Sequence, residues 1–213
     1  MKVLIFGATG YSGKAVLKQA LQQNHQVTVL TRSKSAIAFT HPNLRVVEGN
    51  VLDPKTVNAV LQNQDAVLQC LGIGGKGDGK PTTFISDATK IIVAEMEKMP
   101  VKRLIAMSNV GAGNSRAFQP WIFNKIILPY FMNWLKVIID DKNVMEPAIM
   151  NSNLSWTIVR CPNITEKPAK NKVTATLDGK NLKLSITNAD TAHFMVKQLT
   201  DTTFLNQAPS ISN

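Results

Sequence analysis

Gly7-Ala8-Thr9-Gly10-Tyr11-Ser12-Gly13 follows directly on the apolar run Lys2-Val3-Leu4-Ile5-Phe6. The pattern is Gly-x-x-Gly-x-x-Gly, placed between an expected strand and an expected helix from about Gly13 to Gln23. Such a turn wants glycine first for the tight reversal, second so that a pyrophosphate can approach the backbone, and third for close helix-to-strand packing. The helix that follows offers unpaired amides and the positive end of its dipole to the phosphates. Three glycines alone are a weak signal. Their position at residue 7, between a buried-strand pattern and a helical one, makes this one specific.

Working outward, strands and helices alternate. Gln26–Leu30 reads as a second strand and Leu44–Val47 as a third. Asp53 and Pro54 start a helix through about Leu61, with proline at the first helical position where its missing donor costs little. Ala66–Cys70 is a fourth strand. Thr82 or Thr83 opens a helix to Lys98 that puts Ile85, Ala88, Ile92 and Met96 on one face. Val101–Met107 is a fifth strand, and Trp156–Val159 a sixth, entered from a helical region ending near Met150. Alternation of this kind implies an α/β fold with a doubly wound, mainly parallel sheet and helices on both faces. Beyond it, Lys172–Leu177 and Leu182–Leu184 are expected to pair as a hairpin about Asp178-Gly179, and Asn188 to cap a helix running to Leu199. The chain reads as one domain over residues 1–213, with substrate-side elements at about 110–150 and 162–190.

The 213 residues are 44% hydrophobic and 18% charged, enough apolar material for one sizeable core and too much for disorder. Two cysteines, Cys70 and Cys161, exclude a disulfide framework, suit a reducing compartment and read as inert buried thiols. No metal-ligand spacing is visible. The opening reaches Gly7 too soon to resemble a secretory leader, so a cytoplasmic location is expected. Trp121–Ile139 is apolar enough to raise a membrane question. Its Asn124, Lys125, Pro129, Asn133 and Lys136 argue against a span and for an amphipathic helix or a hydrophobic cover over a ligand.

The net charge of +10 favours anionic partners. The basic residues are scattered, however. The densest stretch carries Lys167, Lys170, Lys172, Lys180 and Lys183 against Glu166 and Asp178, with no aromatic residues interleaved for base stacking. A solvated basic face is the plain reading, and nucleic acid is not the expected partner.

The end of the second strand discriminates between cofactors. A site for NAD places Asp or Glu there to hold the ribose 2′-hydroxyl. Here the strand ends Leu30-Thr31-Arg32-Ser33-Lys34. A guanidinium binds a 2′-phosphate through paired, charge-assisted donors, so Arg32 points to NADP(H), with Thr31, Ser33 and Lys34 as helpers.

GATGYSGKAV at the start, TRS after strand two, LG at 71–72, MSNVGAGNSR at 107–116, WTIVRCPNIT at 156–165 and TLDGK at 176–180 resemble an atypical short-chain dehydrogenase/reductase group. The chain is most similar there to biliverdin reductase B/flavin reductase proteins and their bacterial NAD(P)H-binding relatives, and more distantly to NmrA-like proteins. The resemblance implies a Rossmann-type domain. It also implies that Gly7, Thr9, Gly10, Tyr11, Ser12 and Gly13 line the pyrophosphate and that Arg32 and Ser33 meet the 2′-phosphate. Asn50 and Val51 would sit at the adenine, with Asn50 where many relatives carry Asp. Leu71 and Gly72 would touch the ribose side. Ser108, Asn109, Pro162, Asn163 and Ile164 would frame the nicotinamide.

Such reductases usually carry a Tyr-x-x-x-Lys acid–base pair. Neither tyrosine supplies it, since Ala15 stands four residues after Tyr11 and Trp134 four after Tyr130. A conjugated acceptor, such as a flavin or linear tetrapyrrole, needs less help from a protein acid because it spreads the incoming charge. Ser108 is then the polar group expected at the reacting centre. Asn163 stands where biliverdin reductase B relatives carry histidine. Lys142 is expected in a surface ion pair rather than at an acidic substrate, Glu146 on the same helix is either its partner or a catalytic group, and His193 is expected as a packed or capping residue. Three readings stand at this point: a reductase of a small conjugated acceptor, a non-catalytic NADP(H) sensor of the NmrA-like kind, and a nucleic-acid binder. A monomer or weak dimer is expected.

Overall fold

The computed structural model describes residues 1–74 and 79–213. Eight strands form one sheet in the order β3 (Leu44–Glu48), β2 (Gln26–Thr31), β1 (Lys2–Phe6), β4 (Ala66–Gln69), β5 (Arg103–Asn109), β6 (Ser155–Cys161), β10 (Ser210–Ser212), β8 (Thr174–Thr176). Every pairing from β3 to β10 is parallel, and only β8 runs antiparallel to its neighbour. β1 sits between β2 and β4, with Val3 beside Val27 on one side and Ala66 on the other. Val3 to Phe6 are therefore buried on both faces, which is why this strand is continuously apolar. The order reverses between β1 and β4, and such a switch opens a crevice at the carboxyl ends of the strands.

Helices α1 (Tyr11–Gln22) and α5 (Asn188–Lys197) cover one face, where Val16, Leu17 and Ala20 share a core with Met195 and Leu199. The other face carries α2 (Pro54–Leu61), α3 (Phe84–Glu97) and α4 (Asn133–Met150), packed through Val57, Leu61, Ile85, Ile92, Met145 and Ile149. Asp53 caps α2 as the Asp-Pro signal predicts, accepting from the amides of Lys55 and Thr56. The start of α3 is capped from another helix: buried Asp141 of α4 accepts from Ile85 N at 2.8 Å and Ser86 N at 3.0 Å. Thr187 caps α5, one residue earlier than the expected Asn188.

The C-terminal third departs from the expected hairpin. Thr174–Thr176 pairs with Ser210–Ser212 at the end of the chain, and Leu184 is left 85% exposed. A second, two-stranded sheet joins β7 (Asn163–Thr165) in parallel to β9 (Ser185–Thr187). Asp190 organises this corner. Its carboxylate accepts from the Lys170 and Asn171 amides at 2.8 and 3.0 Å, from the Thr187 hydroxyl, and from the Asn213 side chain.

Residues 121–139 do not form one helix. Phe123–Phe131 is π-helical, with the Met132 amide reaching back five residues to the Ile127 carbonyl, and α4 starts afresh at Asn133. Pro129 lies inside this segment and lacks the donor that a regular turn requires. Among the described residues, no helix is long and apolar enough to cross a membrane.

Candidate functional site

Because β1, β2, β4, β5 and β6 are parallel, their carboxyl ends meet at one edge. That edge collects Gly7, Thr31 and Arg32, Leu71 and Gly72, Ser108 and Asn109, and Pro162, as the sequence predicts. The glycine turn is tightly built. Gly7 holds φ at +80°, and a Cβ there would lie 2.5 Å from the Cys70 carbonyl oxygen. A Cβ on Gly13 would lie 1.9 Å from the Gly7 carbonyl oxygen, so helix α1 packs directly on the turn. Gly10 is different. Its φ of −73° suits any residue, and a Cβ would meet only the Gly7 carbonyl oxygen at 3.3 Å.

Helix α1 begins at Gly10 with no side-chain cap and no acid in its first turn. The starts of α2, α3 and α5 each have amides capped by a carboxylate or hydroxyl, whereas α4, like α1, starts without a side-chain cap. Open amides at the crevice fit an anionic diphosphate. Ser12 is buried beneath the turn, whereas Tyr11 is 47% exposed and lies near Glu166. Partial burial, followed by the Glu166 charge, raises the Tyr11 phenol above its ordinary range. The Tyr11 carbonyl accepts from the Asn188 side chain at 3.2 Å, which ties the turn to α5.

At the end of β2, Thr31 is buried and its hydroxyl donates to the Ser33 carbonyl at 3.0 Å. The Ser33 and Ser35 hydroxyls are 2.8 Å apart, and Arg32 and Ser33 are exposed. An acid stands nearby that sequence reasoning did not weigh. Glu48, beside Thr31 on β3, accepts from the Lys34 amide at 3.0 Å and so is committed to the turn. Asn50 folds its side chain onto the Leu52 amide, and the Val51 side chain is buried in the α2–α3 core. Leu71 packs against the same core. A Cβ on Gly72 would meet nothing within 4 Å, which suits a position facing a cleft. Asn163 and Ile164 are held in β7 beside Ser185 and Ile186.

Ser108 is 1% exposed, and its hydroxyl donates to Glu146 Oε1 at 2.7 Å. Glu146 is 1% exposed and is gripped by Arg160, with Nε to Oε1 at 3.0 Å and Nη2 to Oε2 at 2.6 Å. Arg160 also donates to the Asn114 side chain at 2.6 Å. Gly113 must be glycine here, since it holds φ at +53° and a Cβ would lie 2.5 Å from Arg160 Nη2. A cavity of about 430 Å³ opens beside this pair, lined in part by Asn114, Trp156 and Leu177 and by none of the expected cofactor residues.

Two expectations about this helix are therefore corrected. Lys142 makes no surface ion pair: it is 3% exposed, and its ammonium donates to the Met107 and Leu71 carbonyls at 2.7 and 3.3 Å. Glu146 pairs with Arg160 rather than with Lys142. Burial pushes the Lys142 ammonium down to about 8 and the Cys70 and Cys161 thiols up to about 12. Both cysteines are buried and free, as expected. His193 is exposed on α5 rather than packed. Lys142, Glu146 and Arg160 were underread because buried charge has no local signature. Four residues before Lys142 stands Ile138, so Lys142 has no tyrosine at the Tyr-x-x-x-Lys spacing.

A family model described as NAD(P)H-binding matches residues 7–202. Among curated proteins, the photosystem II assembly factor Ycf39 of Synechocystis is 28% identical over 163 residues, covering 75% of this chain. An averufin oxidase of Aspergillus flavus is 27% identical over 105 residues, covering 44% of this chain. The chain spans 44% of the first relative's length and 36% of the second's. A yeast protein of the UPF0659 group is 26% identical over 210 residues, covering 93% of this chain and 87% of that protein. Among solved structures, the oxidoreductase ylbE of Lactococcus lactis superposes with a TM-score of 0.82 at 21% identity, over 100% of this chain and 91% of that one. ChuY, an anaerobilin reductase of Escherichia coli O157:H7, superposes at 0.79 and 20% identity, over 100% and 97%. At these identities the structural likeness establishes the fold.

Proposed function

This chain belongs to the NAD(P)H-binding family, and on that premise we propose that it is an NADPH-dependent reductase whose acceptor is a conjugated small molecule, a flavin or a linear tetrapyrrole. The dinucleotide supplies a hydride from its nicotinamide ring. The chain's own part begins with the open amides of α1 at the pyrophosphate and the Arg32 guanidinium at the 2′-phosphate.

The observation that carries the acceptor class is the state of the protons at the strand ends. The Ser108 proton is committed to Glu146. The Lys142 ammonium is spent on two carbonyls and the Met145 sulfur. The Cys70 and Cys161 thiols are buried and held far above neutrality. No tyrosine stands four residues before Lys142. An acceptor whose conjugation absorbs the hydride's charge, and which takes its proton from solvent, matches such a site. ChuY, a neighbour in fold, is an anaerobilin reductase, which agrees with the tetrapyrrole branch of this reading.

With its proton given to Glu146, Ser108 keeps only lone pairs, which can accept from the nicotinamide carboxamide. Ser108→Ala is expected to lower kcat by about 10- to 100-fold with little change in NADPH affinity, because positioning acts on the barrier. Stopped-flow measurement of the hydride step checks this, and an unchanged rate removes Ser108 from the site. Arg32→Ala is expected to cost about 1–3 kcal/mol of NADPH binding and leave NADH nearly unchanged, since only the phosphate contacts are lost. Calorimetric titration with both cofactors is the check, and equal losses would place the 2′-phosphate elsewhere.

A second reading draws on the exposed apolar stretch Trp121–Phe131. An NADP(H) sensor would present such a face to a partner, bind NADPH and turn nothing over. Anaerobic NADPH oxidation with a panel of flavins, biliverdin, quinones and aldehydes separates the two.

A further inference from the structure

The π-helical segment sorts its side chains in an unusual way. Phe123, Leu128 and Met132 point inward, five and four residues apart, and pack on Ala112 and Ile139. The outward rows recur at the same spacing. Trp121 and Ile122 are 67% and 55% exposed, Ile126 and Ile127 are 43% and 37%, and Tyr130 and Phe131 are 78% and 76%. A π-helix repeats in steps of four to five residues, so these six side chains share one face. That face is apolar and turned to solvent, whereas a cover over the cofactor would turn it inward. A contiguous exposed patch of this kind marks a docking surface.

Charge selects the occupant. From Val110 to Ile139 the chain contains no Asp or Glu, and it contains Arg116, Lys125 and Lys136. Arg116 and Lys125 are exposed, while Lys136 pairs with Asp140 at 2.6 Å. A second copy of this chain, itself at +10, would bring like charges together across the contact. An anionic lipid surface satisfies both features, with aromatic and aliphatic side chains entering the interface and cations at the headgroups. We propose that the Trp121–Phe131 face seats this chain on an anionic membrane surface. The Asn133 side chain donates to the Gly79 carbonyl at 2.9 Å, so the segment ends against the loop that follows β4.

The test is flotation with vesicles of phosphatidylcholine alone and with added phosphatidylglycerol. The expected result is binding to the anionic vesicles only, weakened by salt. Tyr130→Ser with Phe131→Ser should weaken it by about tenfold or more. Lys125→Glu should also weaken it by about tenfold. Brominated lipid should quench tryptophan emission, and Trp121→Phe should remove most of that quenching. All these positions are exposed, and NADPH titration of each variant should match the parent. Docking is thereby read apart from the reductase function. Equal, negligible flotation with both vesicle types overturns the proposal. So does sedimentation showing a dimer that Tyr130→Ser with Phe131→Ser dissolves, which would make the face a self-interface.

Discussion

Gly10→Val is expected to abolish NADPH binding and to leave the protein folded. The backbone at Gly10 already has φ of −73°, which valine adopts freely, and an added Cβ meets only the Gly7 carbonyl oxygen at 3.3 Å. The Gly7 carbonyl has to give by a few tenths of an ångström, a shift that the fold is expected to tolerate. The branched side chain then stands at the uncapped N-terminus of α1, where the proposed site brings the diphosphate to the amides. Gly13→Ala is the contrasting variant, because its Cβ would lie 1.9 Å from the Gly7 carbonyl oxygen and force α1 off the turn. Melting curves with calorimetric titration read the two apart. Gly10→Val is expected to keep its melting temperature and lose the cofactor, and Gly13→Ala to lose stability first. Normal NADPH affinity in Gly10→Val would mean that the phosphates bind elsewhere.

Glu146→Ala should cost about 3–5 kcal/mol of stability, the expected penalty for leaving one partner of a buried ion pair uncompensated. Arg160 is 2% exposed, and both of its bonds to Glu146 would be lost, as would the acceptor of the Ser108 hydroxyl. Replacing both members, Glu146→Leu with Arg160→Met, should recover much of the loss, because an apolar pair removes the stranded charge. Chemical denaturation of the single and double variants is the measurement. A single variant within about 1 kcal/mol of the parent would show that water reaches the guanidinium and that the pair is not sealed.

The fold up to Asn109 was legible because its signals are local. Val3–Phe6 is apolar on both faces, Asp53-Pro54 caps and opens α2, and the three glycines punctuate the first turn. The family match over residues 7–202 accords with the resemblance that those motifs carried. The C-terminal third was less legible because its partners are distant. Thr174–Thr176 has the alternation of a hairpin strand, yet its mate is Ser210–Ser212, and nothing near it in sequence says so. In residues 121–139 Pro129 was weighed only against a membrane span, and the π-segment that contains it packs against Ala112 and Ile139 from outside its own stretch. The site divides in the same way. The glycine turn and Arg32 lie at the carboxyl ends of β1 and β2, which local signals also mark. The Ser108–Glu146–Arg160 cluster joins three separate elements, and a charge on a helix is read as solvated until the structure shows it buried.

The proposed hydride transfer is tested most directly by mixing the protein anaerobically with NADPH deuterated at the transferring nicotinamide position and, in turn, a flavin and biliverdin. The reductase account predicts that NADPH is consumed in step with reduction of at least one of these acceptors, and that the deuterated cofactor reacts more slowly. Tight NADPH binding with neither acceptor reduced, at any protein concentration, would contradict it.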